Sequence, residues 1–335
     1  MIDRALIVGL GSIGRRHLRL LRAELPGADI RVLRHVACDE AIERADGCFT
    51  DLGVACAFAP QLAIIASPAP FHLESARALA GAGAHLLVEK PLADRAEGVG
   101  DLIALCAARG LQLQVGYNLR FMDSLQAFRR SLAEGLIGQV HAVRCEIGQY
   151  LPSWRPEADY RETVSARRVL GGGTLLELSH ELDMLRWVFG EVAWLSAWSG
   201  QQSTLEIDVE DSVMIQMGFA GGPVAQLGMD FLRRDTTRVC TAIGALGSLR
   251  WDAVAGRVAL FDPGAEDWID LQVALPQRDA SYREQIVALL DAVKTGRPSA
   301  IAAHGADGLA VLRMVEAARA SDNRDGRRIL LERAA

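Results

Sequence analysis

ALIVGLGSIGRR, residues Ala5–Arg16, decides the fold. Ala5–Val8 is a short apolar run, the pattern of a buried strand. It breaks into Gly9-Leu10-Gly11-Ser12-Ile13-Gly14, and a helix-like stretch, Arg15–Glu24, follows at once. This is a G-x-G-x-x-G turn in the strand–turn–helix setting that gives the pattern its meaning. Gly9 permits a tight turn, Gly11 lets the backbone approach a pyrophosphate, and Gly14 permits close packing of helix on strand. The helix N-terminus, at Ser12 and Ile13 with Arg15 beside them, faces the anion. A glycine-rich turn without a ligand is the plainer alternative, and the strand–helix context argues against it.

Outward from this turn, residues 1–117 alternate strand and helix. Strands are expected at Ala5–Val8, Ile30–Leu33, Leu62–Ala66, His85–Val88 and Leu113–Val115, with helices at Ser12–Glu24, Asp39–Ala45, Pro70–Ala82 and Asp94–Arg109. The strand runs lack polar alternation, which suits parallel strands covered on both faces. The expected fold is therefore α/β, a doubly wound Rossmann sheet, with ligands outside the C-terminal strand ends. Three conspicuous stretches fall there: the glycine turn, Ser67-Pro68-Ala69-Pro70-Phe71-His72, and Glu89-Lys90-Pro91.

The second strand ends in Arg34-His35. NAD-preferring domains usually carry an acid at this point, on the ribose 2′-hydroxyl. A guanidinium there suits a 2′-phosphate, so NADP(H) is favoured over NAD(H). Asp39 is a nearby acid that could serve NAD, and a merely solvated Arg34 is the plain alternative.

Around Gly116 the pattern changes. Phe121–Glu134 is expected to be a connecting helix, and from Val140 onward strand-like runs dominate, several alternating apolar with polar. That is the signature of a mostly antiparallel sheet with one covered face. Helices are expected at Gly173–Phe189, Ser281–Thr295 and Gly305–Ala320. The division is a dinucleotide-binding domain over 1–118 and an α+β domain with a large open-faced sheet over 119–335.

A chain of 335 residues suits two domains. The net charge of −6, with no basic arm, argues against nucleic acid as a partner. No run of about 18 apolar residues suggests a membrane span, and no signal-peptide pattern precedes the first strand. The six cysteines are scattered without a C-x-x-C pair, as expected of reduced thiols in a cytoplasmic protein with no metal site.

The glycine turn, Glu89-Lys90-Pro91 and a Gly171-Gly172-Gly173 helix carrying His180 and Asp183 together resemble the glucose–fructose oxidoreductase / inositol dehydrogenase / MocA family. The resemblance covers nearly the whole chain. It implies reversible oxidation of a sugar or cyclitol hydroxyl by NAD or NADP, and homodimers or homotetramers built through the C-terminal sheet. It implies that Lys90 and His180 are catalytic, that a cis bond precedes Pro91, and that His72 stands near the nicotinamide, a histidine capping the next helix being the equal alternative. Ser67, Pro68 and Glu89, at strand ends, are expected beside the cofactor, and Glu89 either tunes Lys90 or pairs with another charge. A lysine suits this chemistry, since hydride loss from a carbinol requires a base for the hydroxyl proton.

Tyr117, Asn118 and Arg120 resemble a substrate-side motif. Arg120 either binds an anionic group or pairs with an acid. Glu177, His180 and Asp183 are spaced by three, so on one helix they would share a face. The family usually has an aspartate four residues before the histidine. Here Leu176 holds that place and Glu177 stands three before, which puts the substrate contact in question. The segment Tyr150–Arg168 carries Trp154, Arg155, Tyr160, Arg161, Arg167 and Arg168. Aromatic faces suit sugar rings and forked arginines suit anions, which points to an acidic or nucleotide-linked sugar; an ordered cap with solvated charges is the equal alternative. The leading expectation is hydride transfer on a sugar-like substrate, and the alternative is a non-catalytic dinucleotide-binding regulator or scaffold.

Overall fold

In a computed structural model describing residues 2–36, 41–275, 277 and 279–331, the opening stretch is strand β1 (Arg4–Val8) and helix α1 (Ser12–Glu24). Ala5 to Val8 are all buried, as an unalternated run requires when helices cover both faces of a sheet. The chain continues through β2 (Asp29–Leu33), β3 (Gly47–Phe49), α2 (Leu52–Ala57), β4 (Leu62–Ile65), α3 (His72–Gly81), β5 (His85–Val88), α4 (Val99–Ala108) and β6 (Leu113–Val115). These strands pair in parallel, with Ala5 opposite Ile30 on one side and Leu62 on the other.

Next come α5 (Asp123–Ala133), β7 (Val140–Gly148), α6 (Thr174–Glu177), α7 (His180–Phe189), β8 (Val192–Gly200), β9 (Ser212–Phe219), β10 (Val224–Asp230), β11 (Thr237–Gly244), β12 (Ser248–Asp252), β13 (Arg257–Asp262) and β14 (Asp267–Val273). The chain closes with α8 (Ala280–Thr295), β15 (Ala303–His304), α9 (Gly305–Asp322) and β16 (Ile329–Leu330). A nine-stranded sheet runs β14-β13-β12-β11-β7-β10-β9-β8-β16, antiparallel except for the β7–β10 pair. Helix α5 packs on β12 to β14, where the Trp251 indole N–H donates to Ser124 Oγ at 3.0 Å.

Two compact units result: Met1–Asn118 with Asp279–Leu312, and Leu119–Arg278 with Arg313–Ala335. The first break falls after residue 118, where the pattern changes. The return of 279–312 to the first unit corrects the contiguous division. The cause is packing: Ile286 and Leu289 of α8 join the core formed by Ile7, Leu18, Leu21 and Ile30, and β15 adds to the sheet antiparallel to β6. An amphipathic helix carries no mark of which sheet it will cover.

Three local expectations also change. Residues 41–45 form no helix, while Asp39, weighed as an NAD selector, lies outside the described residues. The expected helix Gly173–Phe189 is two helices, α6 and α7, interrupted at Leu178 and Ser179. Cys48 is disulfide-bonded, against the expectation of reduced thiols throughout, whereas Cys56, Cys106, Cys145 and Cys240 are free. Sequence spacing does not say which thiols a fold brings together. No helix among the described residues is long and apolar enough to cross a membrane.

Candidate active site

The three glycines of the turn divide by what surrounds them. Gly9 has φ +88°, and a Cβ on it would lie 2.8 Å from Ala66 O and Ser67 N. A Cβ on Gly14 would lie 2.1 Å from Gly9 O. A Cβ on Gly11 would meet nothing within 4 Å outside its own helix and chain neighbours. Two glycines therefore close the turn against β4, and the third faces open space at the N-terminus of α1. No side chain caps that helix end, so its first N–H groups, from Ser12 and Ile13 onward, can take a ligand's anion. Beside it, Ser67 Oγ is buried without a hydrogen-bond partner among the described residues. These features fit a dinucleotide pyrophosphate. Gly11→Val, filling the open space, is expected to weaken NADH binding at least about tenfold, or ~1.4 kcal/mol, while thermal unfolding stays within a few degrees. Titration by NADH fluorescence beside a melting curve checks this.

At the end of β2, Arg34 is half-buried and its backbone N–H donates to Phe49 O at 3.0 Å. Among the described residues no acidic side chain pairs with Arg34 or with the exposed Arg15. Arg16 is engaged elsewhere, stacked 4.6 Å from the Tyr282 ring centroid and paired with Asp279 at 3.2 Å.

The other two strand-end stretches are tied together. His72 is buried, with Nδ1 2.9 Å from Pro91 O and Nε2 2.6 Å from Ser67 O. Burial pushes its imidazole below the ordinary range, against the opposing pull of the two carbonyls and Glu89. Pro68 opens the short turn that leads into His72. The Lys90–Pro91 peptide is cis.

Glu89 is buried behind Lys90. One carboxylate oxygen lies 2.6 Å from His17 Nε2, and the other accepts the Lys90 backbone N–H at 3.1 Å. Burial alone would raise the Glu89 carboxyl. The His17 hydrogen bond and charge, with the Lys90 charge and N–H, hold it below the usual range. A Cβ on Gly116 would lie 2.8 Å from Glu89 Oε2, so only glycine leaves room for this carboxylate. His17 was not among the residues singled out from sequence. Its signal was a histidine on the helix face otherwise made by Gly14, Leu18 and Leu21, all buried.

Tyr117 is fully buried, and the Asn118 side-chain amide donates to Ser281 Oγ at 2.8 Å. In the second unit, the two alternatives for Arg120 are separated. Its guanidinium is buried and holds Asp183 through two bonds, of 2.9 and 2.6 Å, with the Trp187 ring 5.5 Å away. The geometry is that of a buried ion pair, the second of the two alternatives. His180 opens α7 and is 9% exposed.

Glu177 does not share a helix with His180, because α6 ends at Glu177. Its carboxylate accepts from Ser165 Oγ at 2.7 Å. The glycines are set by crowding here too: a Cβ on Gly172 would meet Val164 O at 2.4 Å, and one on Gly173 would meet Glu210 Oε1 at 2.5 Å.

The aromatic and arginine segment is tied down by hydrogen bonds and ion pairs within the second unit. The Trp154 indole N–H donates to Gln149 O, and its ring stands edge-on to Phe231. Tyr160 Oη accepts the Glu206 N–H. Arg161 pairs with Asp159 and Glu206, Arg167 with Glu162, and Arg168 donates to Asp208 O.

Comparison with known proteins places this geometry among relatives. Residues 4–117 match the model of an oxidoreductase family with an NAD-binding Rossmann fold, and 125–250 match the GFO/IDH/MocA C-terminal domain. A 1,5-anhydro-D-fructose reductase of Ensifer adhaerens is 30% identical over 271 residues, 76% of this chain and 77% of that protein. An inositol 2-dehydrogenase of Rhizobium meliloti is 27% identical over 333 residues, 93% of this chain and 94% of that protein. Among solved structures, a levoglucosan dehydrogenase in complex with NADH and levoglucosan superposes with a TM-score of 0.86 at 19% identity, covering 98% of this chain and 99% of that one. The WlbA dehydrogenase from Bordetella pertussis, in complex with NADH and UDP-GlcNAcA, gives 0.82 at 22% identity over the whole of both chains.

Proposed function

Because the chain belongs to the GFO/IDH/MocA family of NAD-binding oxidoreductases, we propose that it transfers a hydride between a nicotinamide and the carbinol or keto carbon of a neutral sugar-like substrate. The observation that carries this reading is Lys90, set on the cis Glu89-Lys90-Pro91 turn in the same sheet as the glycine turn. A bound nicotinamide supplies the hydride donor or acceptor. What the chain must supply is a group that moves the hydroxyl proton and steadies the oxygen as its charge changes. An ammonium does both, and a guanidinium cannot give up its proton. The composition sharpens the point. Of 36 basic residues only Lys90 and Lys294 are lysines, so lysine stands at position 90 in a chain that otherwise uses arginine. His180 is assigned as a second proton-carrying group, held by the helix that Asp183 and Arg120 anchor.

A neutral substrate is favoured over an acidic or nucleotide-linked sugar because Arg120, Arg161 and Arg167 are already paired with carboxylates. For the cofactor, Arg34 at the ribose end, without an acidic partner among the described residues, supports NADP(H). The test is a panel of free sugars, anhydrosugars, cyclitols, uronic acids and nucleotide sugars, offered with each cofactor. Turnover is expected on neutral members, with NADP preferred. Arg34→Asp is expected to lower kcat/KM for NADP about 10- to 100-fold, the worth of a charged hydrogen bond, and to leave NAD within threefold. A higher kcat/KM on uronic acids overturns the substrate class, and equal use of both cofactors overturns the role of Arg34. Tight NADH binding with no turnover on any member restores the regulator.

A further inference from the structure

His17 lies one turn inside the helix that presents its N-terminus to the pyrophosphate, yet it faces away from solvent and is fully buried. Its ring packs edge-on against Tyr282 of α8, centroids 5.9 Å apart. An ionised carboxylate can only accept, so the proton of the 2.6 Å contact with Glu89 belongs on His17 Nε2. His17 Nδ1 is buried with no hydrogen-bond partner among the described residues, so the Nε2 contact is the ring's one hydrogen bond there. Glu89 then has one oxygen fixed by His17 and the other fixed on the Lys90 backbone N–H. Gly116 closes the remaining side, since a Cβ there would lie 2.8 Å from the same oxygen. The carboxylate is thus seated on three sides by groups from α1, β5 and the end of β6.

We propose that His17 is a positioning residue for Lys90: its Nε2–H seats the Glu89 carboxylate, and that carboxylate sets the main chain from which the lysine side chain projects. The inference rests on the assignment of Lys90 to catalysis. It adds a residue that touches neither substrate nor the reacting atoms. Hydride and proton transfer demand reacting atoms in near-attack geometry, and a misplacement of about 1 Å costs up to about a hundredfold. The contact is buried and charge-assisted, so losing the donor leaves Glu89 with an unmet acceptor beside the lysine.

The experiment compares His17→Ala, His17→Gln and Glu89→Gln in the full chain. Glutamine at 17 keeps an N–H donor, and glutamine at 89 keeps the volume without the charge. Kinetics use the best neutral sugar of the panel, and NADH binding is followed by its own fluorescence. His17→Ala is expected to lower kcat about 10- to 100-fold with the NADH Kd within threefold. His17→Gln is expected to recover kcat to within about fivefold of the parent.

A second measurement does not need turnover. Protein labelled with [13Cε]lysine shows two lysine signals, with the exposed Lys294 as internal reference. The Lys90 signal is expected to move in His17→Ala and Glu89→Gln and to return toward the parent position in His17→Gln. An unmoved Lys90 signal in all three variants, or equal kcat loss in the alanine and glutamine variants at position 17, overturns the proposal. So does an NADH Kd that rises in step with the kcat loss, since His17 would then serve the glycine turn. If the parent turns over nothing while the Lys90 signal responds as stated, the catalytic reading fails and the positioning contact stands.

Discussion

Lys90→Ala is expected to lower kcat about a thousandfold, within the range for loss of a general acid–base, while NADH binds within threefold of the parent. The separation follows from the geometry. The substitution touches none of Gly9, Gly11, Gly14 and the N-terminus of α1, the features that fit a dinucleotide pyrophosphate. Lys90→Arg divides the two parts of the lysine's task. Arginine keeps a positive charge near the developing alkoxide but cannot accept or return its proton. If proton transfer dominates, Lys90→Arg is as slow as Lys90→Ala; if charge dominates, it recovers at least tenfold. Full activity in Lys90→Ala would sink the assignment. Steady-state turnover beside NADH titration reads all three cases.

Arg120→Ala is expected to be the most damaging substitution for stability in the second unit, at about 3–5 kcal/mol. The side chains of Arg120 and Asp183 are 4% and 1% exposed, and both bonds between them are lost together. What remains is a carboxylate buried on α7 without its main countercharge. The measurement is direct, because all six tryptophans lie in residues 119–278, so tryptophan fluorescence during urea unfolding reports the second unit. Arg120→Met with Asp183→Leu removes both charges and is expected to recover a large share of the loss. A single variant that unfolds with the parent would show the pair to be energetically neutral. A restored fold with kcat still depressed would separate stability from the seating of His180.

The parts of the site that were legible from sequence share one property: their meaning is local. The glycine turn couples an apolar strand to a helix within ten residues, and the crowding at Gly14 comes from Gly9 of the same turn. Glu89-Lys90-Pro91 stands at a strand end, where the alternation of elements already points. Misreadings arose where the partner is distant or the backbone departs from its propensity. Glu177, His180 and Asp183 share a face only if one helix runs through them, and the chain breaks it at Leu178 and Ser179. Arg120 is followed by 62 residues before its partner Asp183, so its choice between ligand and ion pair was open until the fold closed.

The sequence alone determined a doubly wound dinucleotide-binding unit followed by a mostly antiparallel sheet, because hydrophobic period and glycine placement dictate which elements form. It also marked Glu89-Lys90-Pro91, because a strand end in such a sheet is where ligands bind, and the family resemblance singled out Lys90 within it. Tertiary structure decided what those elements and charges meet. It returned α8 to the first unit, seated Glu89 between His17 and Gly116, and spent Arg161, Arg167 and the buried Arg120 on carboxylates. The reason is physical: a buried charge takes the partner that packing brings within about 3 Å, and distance along the chain says little about which partner that will be. The Ala5–Arg16 turn could announce a pyrophosphate site unaided. That its helix also brings His17 within 2.6 Å of the Glu89 carboxylate became visible only in the folded chain.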